Sequence, residues 1–143
     1  MPLTRILPDQ VTKHWEVISF AIENSLPPFA VRQSGVMNNV LESLLLGKLE
    51  CWVATNKSGE IKAIATTQIL EDDISKCKSL LLYSVYGFSD LDESIWKQSF
   101  KTVSQYARQK GCQKITCYTD LEYIKEMSKK FNSEVRYFAS FNL

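Results

Sequence analysis

Residues 79–111, SLLLYSVYGFSDLDESIWKQSFKTVSQYARQKG, constrain the fold more than any other stretch of this chain. Leu80, Leu81 and Leu82 are consecutive, and Tyr83, Val85 and Tyr86 extend the apolar run. A strand apolar on both faces belongs in the middle of a sheet with cover on either side. A turn holding Gly87 then leads into a predicted helix over about 90–110. Its apolar stripe, Trp96, Phe100, Val103 and Ala107, is spaced four, three and four, which is helical periodicity. Gly111 closes that helix. A strand feeding a helix through a tight turn offers free N–H groups to an anion. Here the turn brings one glycine and then Asp90, Asp92 and Glu93 to the place an anion would occupy.

The rest of the chain completes an α/β pattern. A strand is expected over 3–7, then a helix from Asp9 as cap to about Ser25, with Val11, Trp15, Ile18 and Ile22 on one side. Pro27 and Pro28 end it, since proline cannot continue the hydrogen-bond ladder. A second helix over 34–46 carries Met37, Val40, Leu41, Leu44 and Leu45, and Gly47 terminates it. Strands over 51–56 and 61–70 flank Lys57-Ser58-Gly59-Glu60 and form an antiparallel hairpin, with Gly59 free to adopt a left-handed turn conformation. After the strand 79–86 and its helix come a strand over 114–119, a helix over 120–131 and a final strand over 134–141. The helix between 79–86 and 114–119 makes those two strands parallel. The predicted order is β-α-α-β-β-β-α-β-α-β, a single domain over 1–143 with helices flanking a mixed central β-sheet.

Composition narrows the function. The 143 residues carry 17 basic and 16 acidic side chains, a formal charge of +1, whereas a nucleic-acid binder shows a basic excess or stripe. No stretch of 18 apolar residues could span a bilayer, and the first ten residues lack a secretory core; a soluble, cytoplasmic protein is expected. Cys51, Cys77, Cys112 and Cys117 lack close metal-ligand spacing and read as packing residues. His14, the one histidine, has no orienting partner in sequence. No metal site is expected.

The element order resembles that of the GNAT superfamily of N-acetyltransferases over nearly the whole chain. The resemblance implies a sheet whose halves splay at strand 79–86, with acetyl-CoA in the gap. It also implies a loop after that strand reading Arg or Gln, two residues, Gly, one residue, then Gly or Ala, to hold the pyrophosphate. Here that loop is Tyr86-Gly87-Phe88-Ser89-Asp90-Leu91-Asp92-Glu93, with no basic or amide residue and only Gly87 remaining. Ser89 with Asp92, or Asp90 with Glu93, can form a capping box that uses the N–H groups internally. The family's asparagine falls near Thr119 and its tyrosine near Glu126, with Tyr123 or Tyr118 as stand-ins. One strand, where most members have two, follows the last helix. A narrower resemblance is to short GNAT-like proteins of tailed phages, which implies a virion assembly or accessory role in the bacterial host cytoplasm.

Three functions compete. In the first, the acetyl-CoA loop is degenerate, no cofactor binds, and Phe88, Leu91 and Trp52 are exposed anchors for a protein partner from phage or host. In the second, the chain is an active acetyl-CoA-dependent N-acetyltransferase. Tyr83, Val85, Gly87, Ser89 and Asp92 then hold the cofactor, Glu71 (or Asp72 or Asp73) attracts or deprotonates the amine, and Tyr123 or Tyr118 is the general acid. In the third, Lys97, Lys101 and Arg108 on the long helix touch nucleic acid; such charges ordinarily form a solvated face.

Overall fold

The computed structural model describes residues 3–30, 33–91, 93–120 and 122–143, with the side chain of Tyr123 left outside. The elements are β1 (Leu3–Ile6), α1 (Pro8–Lys13), α2 (Trp15–Glu23), α3 (Val36–Leu45), β2 (Glu50–Thr55), β3 (Ile61–Glu71), β4 (Lys78–Gly87), α4 (Glu93–Gln109), β5 (Lys114–Cys117) and α5 (Glu122–Ser128). A 3-10 turn, Lys129–Phe131, follows α5. The strands form one mixed sheet in the order β1-β2-β3-β4-β5. The first three pairings are antiparallel and β4–β5 is parallel. This is the α/β architecture expected from the sequence, with β4 inside the sheet.

The β2–β3 hairpin closes as its turn residues dictate. Gly59 takes φ +84°, and the Asn56 side-chain oxygen accepts the Ser58 and Glu60 N–H groups at 3.0 and 2.9 Å. On one side of the sheet the first three helices bury Val11, Ile18, Ile22, Val40 and Leu44 against Cys51, Val53 and Ile64. On the other, α4 lays Val103 and Ala107 on Trp52 and Leu80. Leu80 is wholly buried, as a strand covered on both faces requires.

Three expectations about elements are corrected. The single helix over 9–25 is two helices, broken at His14. The His14 N–H closes onto the Val11 carbonyl, and the ladder restarts from the His14 carbonyl to Ile18. The cap is Leu7 rather than Asp9, because Pro8 occupies the first helical position, where a missing N–H costs nothing. The last strand is not formed: 132–143 has no regular secondary structure, every residue of it is exposed, and β5 is left as the sheet edge. Among the described residues no helix is long and apolar enough to cross a membrane.

Candidate functional site

The sheet opens at one point, and the strand register shows why. Between β3 and β4, Thr66 faces Ser84 but Thr67 faces Leu82, which leaves Tyr83 as an extra residue, a β-bulge. A bulge bends its strand and sharpens the local twist. The β4–β5 ladder runs only from Ser79↔Lys114 to Leu82↔Cys117, stopping one residue before the bulge. Among the described residues, β4 from 83 to 87 therefore has a strand partner on the β3 side alone, and a gap in the pairing lies towards the chain beyond Cys117.

Aromatic side chains line the gap. Phe29, from the segment after α2, sets its ring 6.0 Å from Tyr83 and 5.3 Å from Tyr118, edge to face in both cases. Tyr118 meets Phe138 in the same way at 5.4 Å. Burial raises the Tyr83 phenol above its ordinary value. At the end of β4 a second group forms, with Tyr86 5.0 Å from Phe88 and 5.7 Å from Phe20, and Phe20 stacked on Phe88 at 6.4 Å. Phe20 and Phe88 remain 51% and 37% exposed, so this group is an accessible apolar surface.

The turn into α4 is folded onto itself. A methyl group at Gly87 would come 3.2 Å from the Ser89 carbonyl oxygen and 3.8 Å from the Leu91 side chain. The missing side chain there makes room for the turn. The Phe88 N–H, one candidate phosphate donor, goes to the Lys62 carbonyl at 2.9 Å. Ser89 and Asp90 are exposed. α4 is described from Glu93, and the expected Ser89–Asp92 capping box lies outside the described residues because Asp92 does. The second expected box, Asp90 with Glu93, would take Glu93 as its far member. Glu93 instead pairs with Lys97 and Lys130, each at 3.2 Å. Hydrogen bonds from Lys97 and then Lys130 hold its carboxyl below the ordinary range.

The other sequence-predicted residues separate. Glu71 sits at the far end of β3, opposite Lys78. That is five strand positions before Tyr83, or roughly 17 Å along β4, so Glu71 cannot serve an amine in the gap. Asp72 accepts the Ser75 N–H at 3.0 Å and its hydroxyl at 2.6 Å, which closes a solvated turn and lowers the Asp72 carboxyl. Val85 faces Ala65 across the ladder. Tyr118, 42% exposed, stands at the gap; the Tyr123 side chain lies outside the described set.

Of the expected exposed anchors, Phe88 is half-exposed and Leu91 half-buried over Gly87. Trp52 is a correction. It is only 4% exposed, meets Tyr106 edge to face at 5.2 Å and donates to the Thr67 hydroxyl at 2.9 Å. The Thr67 hydroxyl donates to Glu50 at 2.9 Å, as does the Tyr106 hydroxyl at 3.1 Å. That indole belongs to the core because β2 is covered on both faces.

Phe29 and Phe20 were not singled out from sequence. The one signal for Phe29 is its place directly after Pro27-Pro28, which hold the segment that brings it to the gap. Among the described residues no group of three or more His, Cys, Asp or Glu could hold a metal ion.

The fold and the gap define a class, that of the acetyltransferase fold. Solved structures with it include a ribosomal-protein-alanine N-acetyltransferase from Brucella melitensis biovar Abortus 2308. Its TM-score is 0.71 at 8% identity, covering 100% of this chain and 99% of that one. The aminoglycoside N-acetyltransferase AAC(6')-Iy in complex with CoA gives 0.72 at 15% identity, over 99% and 93%. An aminoglycoside acetyltransferase, meta-AAC0020, from an uncultured soil metagenomic sample gives 0.69 at 14%, over 99% and 96%. At these identities the likeness is one of fold. No protein-family model matches the chain, and neither does any curated protein.

Proposed function

We propose that this chain is an acetyltransferase-fold protein that carries out no acetyl transfer and acts by binding a protein partner. The observation that carries this reading is the start of α4. Glu93 occupies its first position, pinned by Lys97 and Lys130, with Asp90 just before it and Asp92 between them in sequence. Carboxylates there satisfy the positive end of the helix dipole that would otherwise attract a phosphate, and they repel one. Lys97 and Lys130 are engaged with Glu93 and offset only part of that charge. The accessible Phe20–Phe88 surface beside this turn supplies the partner contact, since aromatic residues anchor interfaces. The narrower phage resemblance makes the role one in virion assembly or accessory to it, in the host cytoplasm.

A second reading, an active acetyl-CoA-dependent N-acetyltransferase, is favoured by the gap itself. In that case β4 from Tyr83 to Gly87 holds the thioester arm and Tyr118 is the general acid. Titration calorimetry of the whole protein with CoA and acetyl-CoA separates the two. The first reading expects no heat up to near-millimolar ligand. Saturable binding, lost on mutation of Gly87, establishes the second.

A further inference from the structure

A second recess surrounds Glu50 on β2, two strands away from the gap along β4. Its volume is about 560 Å³, within the size range of small-molecule sites. Arg5 reaches it from β1, Lys48 from the turn after α3 and Gln68 from β3. Tyr106 comes from the last turn of α4 and Lys110 from just beyond it. Glu50 and Tyr106 are half-buried, and the three cations stand exposed around them.

The charges in this recess are unmatched. Glu50 is its one carboxylate, so Arg5, Lys48 and Lys110 leave it at +2, whereas the whole chain carries only +1. Among the described residues none of these three cations forms an ion pair. Glu50 is held by neutral groups instead. The Tyr106 hydroxyl donates to one of its oxygens at 3.1 Å and the Thr67 hydroxyl to the other at 2.9 Å. Arg5 and Lys110 meanwhile share one aromatic ring. The Arg5 guanidinium carbon stands 4.9 Å and the Lys110 ammonium 5.6 Å from the Tyr106 centroid. A ring face attracts a cation, but two like charges over the same ring repel each other, and an anion between them relieves this. Arg5 uses one N–H on the Tyr106 hydroxyl at 3.1 Å, and its guanidinium fork carries others. The usual task of a cation at a helix end, donation to the last carbonyls, is taken by Lys78, which bonds the Lys110 carbonyl at 3.3 Å.

We infer that this recess binds a small, hydroxylated phosphate monoester. A phosphate monoester carries about −1.5 to −2 at neutral pH, which matches the +2 of the lining; a carboxylate would leave half of that charge unmet. The phosphate oxygens take N–H groups of Arg5 and Lys110 beside the Tyr106 ring, and Lys48 closes on them from the turn after α3. Arginine suits this task because its planar fork matches phosphate oxygens. Glu50 keeps lone pairs beyond those used by Tyr106 and Thr67, and it accepts a hydroxyl of the ligand. That second contact orients the ester and distinguishes it from free phosphate.

The test is amide NMR of the full chain at low ionic strength, because salt screens exposed charges, with glycerol 3-phosphate, inorganic phosphate and acetate as probes. Glycerol 3-phosphate is expected to shift the amides of Arg5, Lys48, Glu50, Tyr106 and Lys110 saturably, with Kd below about 1 mM. Inorganic phosphate, lacking the hydroxyl, binds about tenfold more weakly, and acetate moves nothing. Arg5→Met and Lys110→Met each weaken glycerol 3-phosphate about tenfold or more, as loss of a charge-assisted hydrogen bond requires. Both side chains are exposed, so far-UV circular dichroism stays unchanged. Lys57→Met, which removes the same charge from the exposed β2–β3 turn, leaves the affinity as it was. Absence of saturable shifts with either phosphate up to about 10 mM overturns the inference, as do shifts confined to 83–91 at the gap. So do equal affinities for the two phosphates, saturable binding of acetate, or a loss in Lys57→Met as large as in Arg5→Met and Lys110→Met.

Discussion

Alanine at Trp52 and at Phe88 removes an aromatic ring from two places of opposite standing, and the two variants together test the assignment of core and surface. Trp52 is 4% exposed, packs on Tyr106 and donates to Thr67. Truncation opens a cavity between the sheet and α4, for which large-to-small core substitutions cost about 3–5 kcal/mol. Thr67 keeps its bond to Glu50, so no orphaned hydroxyl is added to that cost. For a chain of this length about 3–4 °C is lost per kcal/mol, which places the melting temperature about 10–20 °C lower. Phe88 is 37% exposed, and its ring meets those of Tyr86 and Phe20. Losing those ring contacts costs about 0.5–1.5 kcal/mol. Urea unfolding followed by circular dichroism measures both variants on one scale. A Trp52→Ala variant within about 1 kcal/mol of the parent would refute the core assignment, because a buried indole lost from a close-packed layer cannot be that cheap. If Phe88→Ala matches the loss at Trp52, Phe88 is structural and its role as a partner anchor falls.

Further outcomes follow from the titratable groups. With its folded-state carboxyl below the ordinary value of 4.5, Glu93 contributes stability above that value, and the contribution is lost as pH falls through the lowered pKa. Lys130→Met moves the Glu93 carboxyl back up in a carbon-detected NMR titration; an unmoved titration would show that Lys97 alone holds it. Burial pushes the Cys51 thiol up to about 12, so iodoacetamide at pH 8 leaves it unmodified until the protein unfolds. Mass spectrometry of digests decides this, and early labelling of Cys51 would contradict its burial. Tyr106→Phe deletes the donation to Glu50 and the bond accepted from Arg5 at 3.1 Å. A loss of about 1.5–3 kcal/mol is expected for a hydrogen bond to a charged group, reduced by the partial exposure of both residues; no shift of the urea midpoint would mean water replaces the phenol fully.

The parts of this fold legible in sequence are those whose signal is local. The turn around Gly59, the two-sided apolar run of β4 and the four-three-four stripe of α4 each fix an element without reference to the rest of the chain. What failed depends on pairing. In β2, Cys51-Trp52-Val53-Ala54 is apolar at every position, so alternation cannot say which face Trp52 takes or whether that face is covered. Glu71 and Tyr118 are both expected in the site of an active enzyme, but only the strand registers show that Glu71 lies opposite Lys78 while Tyr118 follows the Cys117–Leu82 pair. The alternation in 134–141 was readable as a strand, whereas its hydrogen-bond partner is not written in the segment. The aromatic lining of the gap had the same difficulty, since Phe29, Tyr83, Tyr118 and Phe138 come from four separate segments.

The gap and the anion seat of this fold rest on different residues, which is how, on the proposed reading, one is present while the other is occupied. The gap follows from backbone pairing: an extra residue at Tyr83 and a β5 that stops at Cys117. Neither needs any particular side chain in the turn after β4. The seat needs free N–H groups and a local field that favours negative charge, and both are set by a few residues from Gly87 onward. Here the Phe88 N–H is used by Lys62, Leu91 folds over Gly87, and Glu93 supplies its own negative charge to the helix start. The same strand geometry is therefore compatible with either chemistry. Reversing the charge of the turn with Asp90→Gly and Glu93→Arg, while leaving the β3–β4 register intact, isolates the second requirement. Gain of measurable CoA binding in that variant alone would show that charge in the turn is what closes the seat. Continued absence of binding would assign the closure to the Phe88 N–H and the Leu91 side chain.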